Sequence, residues 1–197
     1  MNTYHRYLKL PFEFKKPNFF DKELNTPFSI FELERSCVDK NFLDWTAQFP
    51  IKISNVIEAF YTPAMGGALP IHADYGKICD ITKLNFTWGP DNSVTRWWKV
   101  KDEKFLRIET APFKSPFIVA DFETDLVGVA DEHDCDKVFE KVIDRPSLMN
   151  VGQLHSTYNP GNQSRWTLSF TVLNQDNSHL TFAESLKIFR EVIDEYI

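Results

Sequence analysis

Three side chains with metal-ligand chemistry stand out by type and spacing. His72 and Asp74, in the segment LPIHADYG, lie two residues apart. On a strand such a pair points to one face, so an imidazole nitrogen and a carboxylate oxygen can reach one point. The triplet alone is a weak signal, because five histidines and 28 acidic residues among 197 give about 0.7 such H-x-D/E triplets by chance. The second element is His155 in VGQLHSTYNPGNQSRWTLSF. It ends one strand. NPGN follows as a turn, since Pro presets φ and Gly tolerates positive φ, and another strand opens at Arg165. Along it Arg165, Thr167 and Ser169 share one face, while Trp166, Leu168 and Phe170 share the other. An arginine flanked by hydroxyls and aimed back toward a histidine suits the capture of a carboxylate. Guanidinium grips it through two parallel hydrogen bonds, and a hydroxyl adds a third.

The two strands are expected to pair across this turn, so register gives a check. A two-residue turn at Pro160-Gly161 sets His155 opposite Trp166 and turns Arg165 to the wrong face. A three-residue loop or a bulge sets His155 opposite Arg165. The spacing therefore predicts an odd-numbered or bulged loop.

The elements that must position these residues read as short strands. Residues 52–61, 69–75, 82–88, 95–100, 106–110, 116–120, 147–158 and 165–173 are rich in β-branched and aromatic side chains and are bounded by Gly, Pro, Asn or Asp. That pattern predicts a mainly β sandwich or closed barrel. Short helices are expected over 29–37, 41–49 and 134–143. At the C-terminus Thr181 and Glu184 form a capping box. Phe182, Leu186, Phe189, Ile193 and Tyr196 then recur on one face of an amphipathic helix over 181–197, expected to pack outside the β core.

Composition narrows the class. The hydrophobic fraction is 43% and the charged fraction 25%, with 18 Phe and 5 Trp, which suits an aromatic-rich globular core and excludes disorder. A length of 197 residues fits one domain. The net charge of −6 argues against a nucleic-acid partner. The local basic run Arg96, Lys99, Lys101 and Lys104 is interrupted by Asp102 and Glu103 and reads as a solvated strand end. Cys37, Cys79 and Cys135 are odd in number and widely spaced, so free thiols in a reducing, cytoplasmic compartment are expected, not a disulfide framework or a zinc site. No stretch has the look of a signal peptide or a membrane span, so a soluble protein without a membrane partner is expected.

Taken together, H-x-D, a distant His and R-x-T ten residues after it resemble the 2-oxoglutarate/Fe(II)-dependent dioxygenase superfamily. The stretch LPIHAD…KLNFTWGPDNSVTRWW is similar to its small phage and microbial members. The resemblance covers about residues 52–173. It implies a double-stranded β-helix (jelly-roll, cupin-like) with flanking helices, residues 1–197 forming a single domain. It also implies Fe(II) on His72, Asp74 and His155, a facial triad that leaves three positions open. By the same resemblance 2-oxoglutarate takes two of these through its keto-acid end while Arg165 and Thr167 hold its far carboxylate. O₂ takes the third, and succinate and CO₂ leave as an unidentified substrate is oxidised. Related halogenases keep a small residue where this chain has Asp74, so hydroxylation is the expected outcome.

Further residues are candidates on weaker grounds. Asn85 and Tyr61 are polar positions on predicted strands that could bond the co-substrate. Tyr75, Lys77 and Trp97 could line the substrate pocket, and of the adjacent Trp97 and Trp98 one should face in and one out. The run Asp131-Glu132-His133-Asp134-Cys135-Asp136 has metal-site composition but reads as a solvated loop leading into a helix. Two other functions compete with the oxygenase. One is a non-catalytic β-helix binding module. The other is a cupin-type metalloenzyme that does not use 2-oxoglutarate, against which the Arg165–Thr167 clamp speaks.

Overall fold

The structure is a computed structural model describing residues 3–110 and 126–194. In chain order its strands are β1 (His5–Tyr7), β2 (Ser29–Leu33), β3 (Lys52–Thr62), β4 (Gly67–Ala73), β5 (Thr82–Trp88), β6 (Val94–Val100), β7 (Arg107–Thr110), β8 (Leu126–Val129), β9 (Cys135–Val142), β10 (Ser147–Asn150), β11 (His155–Asn159) and β12 (Arg165–Leu173). Two short α-helices accompany them, α1 (Lys40–Thr46) and α2 (Phe182–Ile188).

The strands form two six-stranded sheets, ordered β1-β10-β5-β12-β3-β2 and β7-β8-β4-β11-β6-β9. Every pairing within them is antiparallel. At their centre β10-β5-β12-β3 belongs to one sheet and β4-β11-β6-β9 to the other. The chain crosses repeatedly between the two, which is the winding of a double-stranded β-helix, or jelly roll. The mainly β architecture agrees with the fold expected from the sequence.

Strand alternation divides the first sheet into two faces of different chemistry. On β3, Ile57, Ala59 and Tyr61 join the main hydrophobic cluster, as do Leu84 and Phe86 on β5 and Trp166, Leu168 and Phe170 on β12. Phe14, Phe20, Phe42 and Trp45 from the N-terminal segment and α1 cover this face, with Phe182 and Phe189 from α2 and its end. Burying one such side chain fully contributes about 1.5–3 kcal/mol. The alternate residues Phe60, Thr62, Lys83, Asn85, Arg165, Thr167 and Ser169 instead line a cavity between the sheets.

The β11–β12 connection differs from the expected hairpin. β11 pairs with β4 and β6, whereas β12 pairs with β3 and β5, so Asn159-Pro160-Gly161 carries the chain from one sheet to the other. The odd-or-even register question therefore does not arise, because facing sheets bring His155 and Arg165 onto one cavity without cross-strand pairing. At Gly161 a Cβ would meet the ring of Pro90 at 2.3 Å, so the link lies tightly against the β5–β6 turn.

Three further expectations are corrected. Residues 29–37 are not a helix: β2 pairs along β3 and a 3-10 turn, Arg35–Cys37, follows. Residues 134–143 are not a helix either, but largely strand β9 along β6. There the register moves from Trp97↔Phe139 to Trp98↔Lys137, leaving Val138 as a bulge. Residues 147–158 are two strands, in different sheets. The helix expected over 41–49 is present as α1, with the Asp39 side chain accepting from the Asn41 amide at 2.9 Å. The capping box of Thr181 and Glu184 is present, but α2 stops at Ile188 and a 3-10 turn, Arg190–Val192, follows. The strand expected over 116–120 lies outside the described residues. No helix among the described residues is long and apolar enough to cross a membrane.

Candidate metal centre

His72 ends β4 and His155 opens β11, and the two are direct Cα partners on neighbouring strands. Their rings lie 4.3 Å apart. Asp74 follows two residues after His72, and its Oδ1 sits 3.3 Å from His72 Nε2 and 3.6 Å from His155 Nε2. One ligand atom from each of the three lies within 4.8 Å of the others.

The ring protons are fixed by backbone. His72 Nδ1 lies 2.9 Å from the Pro70 carbonyl, and His155 Nδ1 lies 2.9 Å from the Gln153 carbonyl. A carbonyl only accepts, so each Nδ1 donates and each ring turns its Nε2 toward Asp74. Burial, and then the neighbouring His72, push the His155 pKa down to about 4, which keeps its ring neutral. Two ring nitrogens and a carboxylate oxygen thus converge. A divalent cation with nitrogen and oxygen preference satisfies such a set, and two His with one carboxylate is the donor set of non-haem iron.

Asp74 is itself held. Burial opposes its charge, but the Lys83 ammonium outweighs this and holds its carboxyl well below the usual range. Lys83 Nζ lies 2.7 Å from Asp74 Oδ2 and 2.6 Å from Glu58 Oε2. Burial would favour neutral Lys83, yet the two carboxylates keep it charged, with its pKa raised above the lysine range.

Arg165 lies on the wall of the same cavity. Its side chain is 3% exposed, and among the described residues its one side-chain hydrogen bond runs from Nη2 to Thr95 Oγ1 at 3.1 Å. Nε has no partner, and no carboxylate among the described residues pairs with the guanidinium. Burial lowers its pKa to about 10, so it remains charged at neutral pH. A buried charge without a counter-ion costs several kcal/mol, about 3–5 where a partner has been removed. Nearby, Thr157 is the Cα partner of Thr95, and its buried Oγ1 also lacks a partner. Thr167 lines the cavity and shares a hydrogen bond with Thr87 at 3.1 Å. Asn85 lines it too, accepting from Ser169 Oγ at 2.7 Å.

Other sequence candidates fall elsewhere. Tyr61 is corrected: it points to the apolar face, packs on Trp166 at 4.9 Å between ring centres, and its hydroxyl donates to the Leu24 carbonyl at 2.9 Å. The opposite parity on β3 belongs to Phe60 and Thr62, so Tyr61 cannot reach the cavity. Trp97 is fully buried, packed with Ile143, Met149 and Val151, and donates to the Asn150 carbonyl at 3.2 Å; it is not among the residues that line the cavity. Trp98 belongs to a separate cluster with Ile71 and Ala73, so the adjacent pair does split between faces. Tyr75 bonds His179 Nδ1 at 3.1 Å, and burial pushes its hydroxyl pKa up to about 12. Lys77 is exposed and not brought to the cavity. Asp131, His133 and Asp134 do cluster, but on an exposed loop where Arg107 pairs with Asp131 at 2.9 Å, and this loop leads into a strand.

Lys83, Glu58, Thr95 and Thr157 were not singled out from sequence. One signal was available for Lys83: in TKLNFTW it shares parity with Asn85, so a charged residue sits on the polar face of a buried strand.

No protein-family model matches the chain, and no curated protein matches it. Among solved structures it is similar to EvdMO1, at 16% sequence identity and a TM-score of 0.39 over 75% of this chain and 36% of that one. It is similar to the non-heme monooxygenase ThoJ in its apo form, at 16% identity and a TM-score of 0.36 over 68% of this chain and 52% of that one. It is also similar to an oxalate oxidase in complex with the substrate analogue glycolate, at 11% identity and a TM-score of 0.36 over 90% and 77%. The chain thus spans less than two thirds of the length of the first two. The jelly roll is read from this chain's own strand order.

Proposed function

We propose that this chain is an Fe(II)- and 2-oxoglutarate-dependent oxygenase that hydroxylates a substrate not yet identified, releasing succinate and CO₂, with residues 1–197 acting as one domain. One observation carries the reading: a buried, charged guanidinium with no carboxylate partner among the described residues shares a cavity with a histidine–aspartate–histidine cluster. A cation and a carboxylate in one molecule's reach complement both ends of that cavity.

Iron, when bound, supplies O₂ activation beside the chelated keto acid. His72, Asp74 and His155 would hold it, the two rings oriented by the Pro70 and Gln153 carbonyls. Arg165 would receive the far carboxylate through Nε and its remaining N–H donors, with Thr157 and Thr167 as hydroxyl partners. The strand walls exclude water from the charge pair, which strengthens it.

The reading is tested by adding Fe(II) and then 2-oxoglutarate without oxygen and following the metal-to-ligand absorption band. A saturable band that is lost in His72→Ala supports it. On admitting oxygen, succinate should form in step with 2-oxoglutarate loss. Iron binding without a 2-oxoglutarate band would instead favour a cupin-type metalloenzyme. Failure to bind iron would leave a binding module.

A further inference from the structure

Lys83 is a cation placed where a metal site has least need of one. It sits on β5, and it faces the cavity with its side chain 8% exposed. Burying an ammonium costs several kcal/mol unless it is paired. Here it is paired twice, with Asp74 Oδ2 at 2.7 Å and Glu58 Oε2 at 2.6 Å. Two carboxylates neutralise it, so it has little to offer a further anion. In that it differs from Arg165, whose guanidinium has none among the described residues.

The two oxygens of Asp74 are thereby given separate tasks. Oδ1 faces both histidine Nε2 atoms, and Oδ2 is bound by Lys83. A carboxylate left free beside a divalent ion can close on it with both oxygens and take two positions instead of one. We infer that Lys83, anchored by Glu58, is a positioning residue that holds Asp74 to one-oxygen coordination and so keeps a third coordination position free for a reactant. The inference rests on the metal-site reading above.

Glu58 gives the device its stiffness. It lies on β3, where its Cα partner on β12 is Ser169, and Ser169 pairs in turn with Asn85 on β5. Glu58 and Lys83 therefore reach each other across the intervening strand β12, on the cavity side of one sheet. Lysine is long and flexible, and a single ion pair would leave it room to swing. Two acceptors, Glu58 and Asp74, together fix its position.

The test uses Mn(II) alone as the probe metal and water-proton relaxation as the readout, which counts waters on the bound ion and needs no turnover. In the native protein relaxation should be enhanced, and His72→Ala should abolish the enhancement. In Lys83→Met the second Asp74 oxygen should displace one of three waters, so the enhancement per bound ion should fall by about a third. Lys83→Arg, which still donates to Oδ2, should keep the native value. Glu58→Gln should fall between the two. A Lys83→Met protein that binds Mn(II) with native enhancement overturns the inference, leaving Lys83 a structural ion pair. Should Lys83→Met fail to fold, Glu58→Gln decides, and a native value there overturns it equally. Absence of any enhancement in the native protein sinks the metal-site reading itself, a separate outcome.

Discussion

Arg165 is where a single substitution speaks most directly to the co-substrate. Removing one partner of a buried charged hydrogen-bonded pair costs about 2–5 kcal/mol. Arg165→Ala should therefore weaken 2-oxoglutarate binding by at least about 30-fold, read from the anaerobic absorption band, while Fe(II) affinity stays unchanged. Arg165→Lys should recover only part, because lysine lacks the planar fork. Thr157 gives a cleaner separation of stability from binding. Its buried hydroxyl has no partner among the described residues, so Thr157→Val removes an unsatisfied group and should leave the urea midpoint unchanged or raised. Co-substrate binding should weaken by about tenfold or more, the weight of a hydrogen bond to a charged group. Equal binding by Thr157→Val would remove this residue from the clamp. At this scale the sequence was informative for His72, Asp74, His155 and Arg165, because strand parity alone tells which side chains share a face. It was silent on Thr95 and Thr157, whose importance comes from lying opposite Arg165 across the gap between sheets. It was misleading for Tyr61, whose neighbours Phe60 and Thr62 take the cavity side.

At the level of elements, the strands with clear alternation were the most readable. β5 and β12 were expected with the ends they have, because TKLNFTW and RWTLSFTVL alternate throughout. β9 was mistaken for a helix because the Val138 bulge inserts one residue into its alternation. Val138 and Phe139 then sit three and four residues from Cys135, which is helical spacing. The split of 147–158 was hidden because Val151 and Leu154 keep the apolar character of a strand through the crossing between sheets. The α2 cap offers a test that depends on pH. Bonds from the Thr181 amide and hydroxyl hold the Glu184 carboxyl below its ordinary pKa. A depressed carboxyl stabilises the fold above its unfolded pKa and loses that contribution as pH falls through the folded value. Thr181→Ala should cost about 0.5–2 kcal/mol near neutrality, measured by urea unfolding. The gap from native should narrow as pH drops below about 4.3. A gap independent of pH would show that Glu184 adds nothing to the cap.

For the whole molecule, the ion bound by His72, Asp74 and His155 would tie β4 to β11 from within. Any ligand that binds only the folded state stabilises it by mass action, about 2.7 kcal/mol at a hundredfold excess over Kd. Chelation should lower the melting temperature of the iron-loaded protein, and it should have no effect on Asp74→Ala. A melting temperature blind to chelator in the native protein would mean the three residues hold no ion. The two faces of the first sheet have a further consequence. Cavity residues and core residues occupy alternate positions on β3, β5 and β12, so neighbours in sequence are separated by the thickness of a sheet. Substitutions on opposite faces share few contacts, and such effects tend to add. A library that varies every second position of these three strands could therefore search for new substrates while drawing almost nothing from the aromatic layer behind.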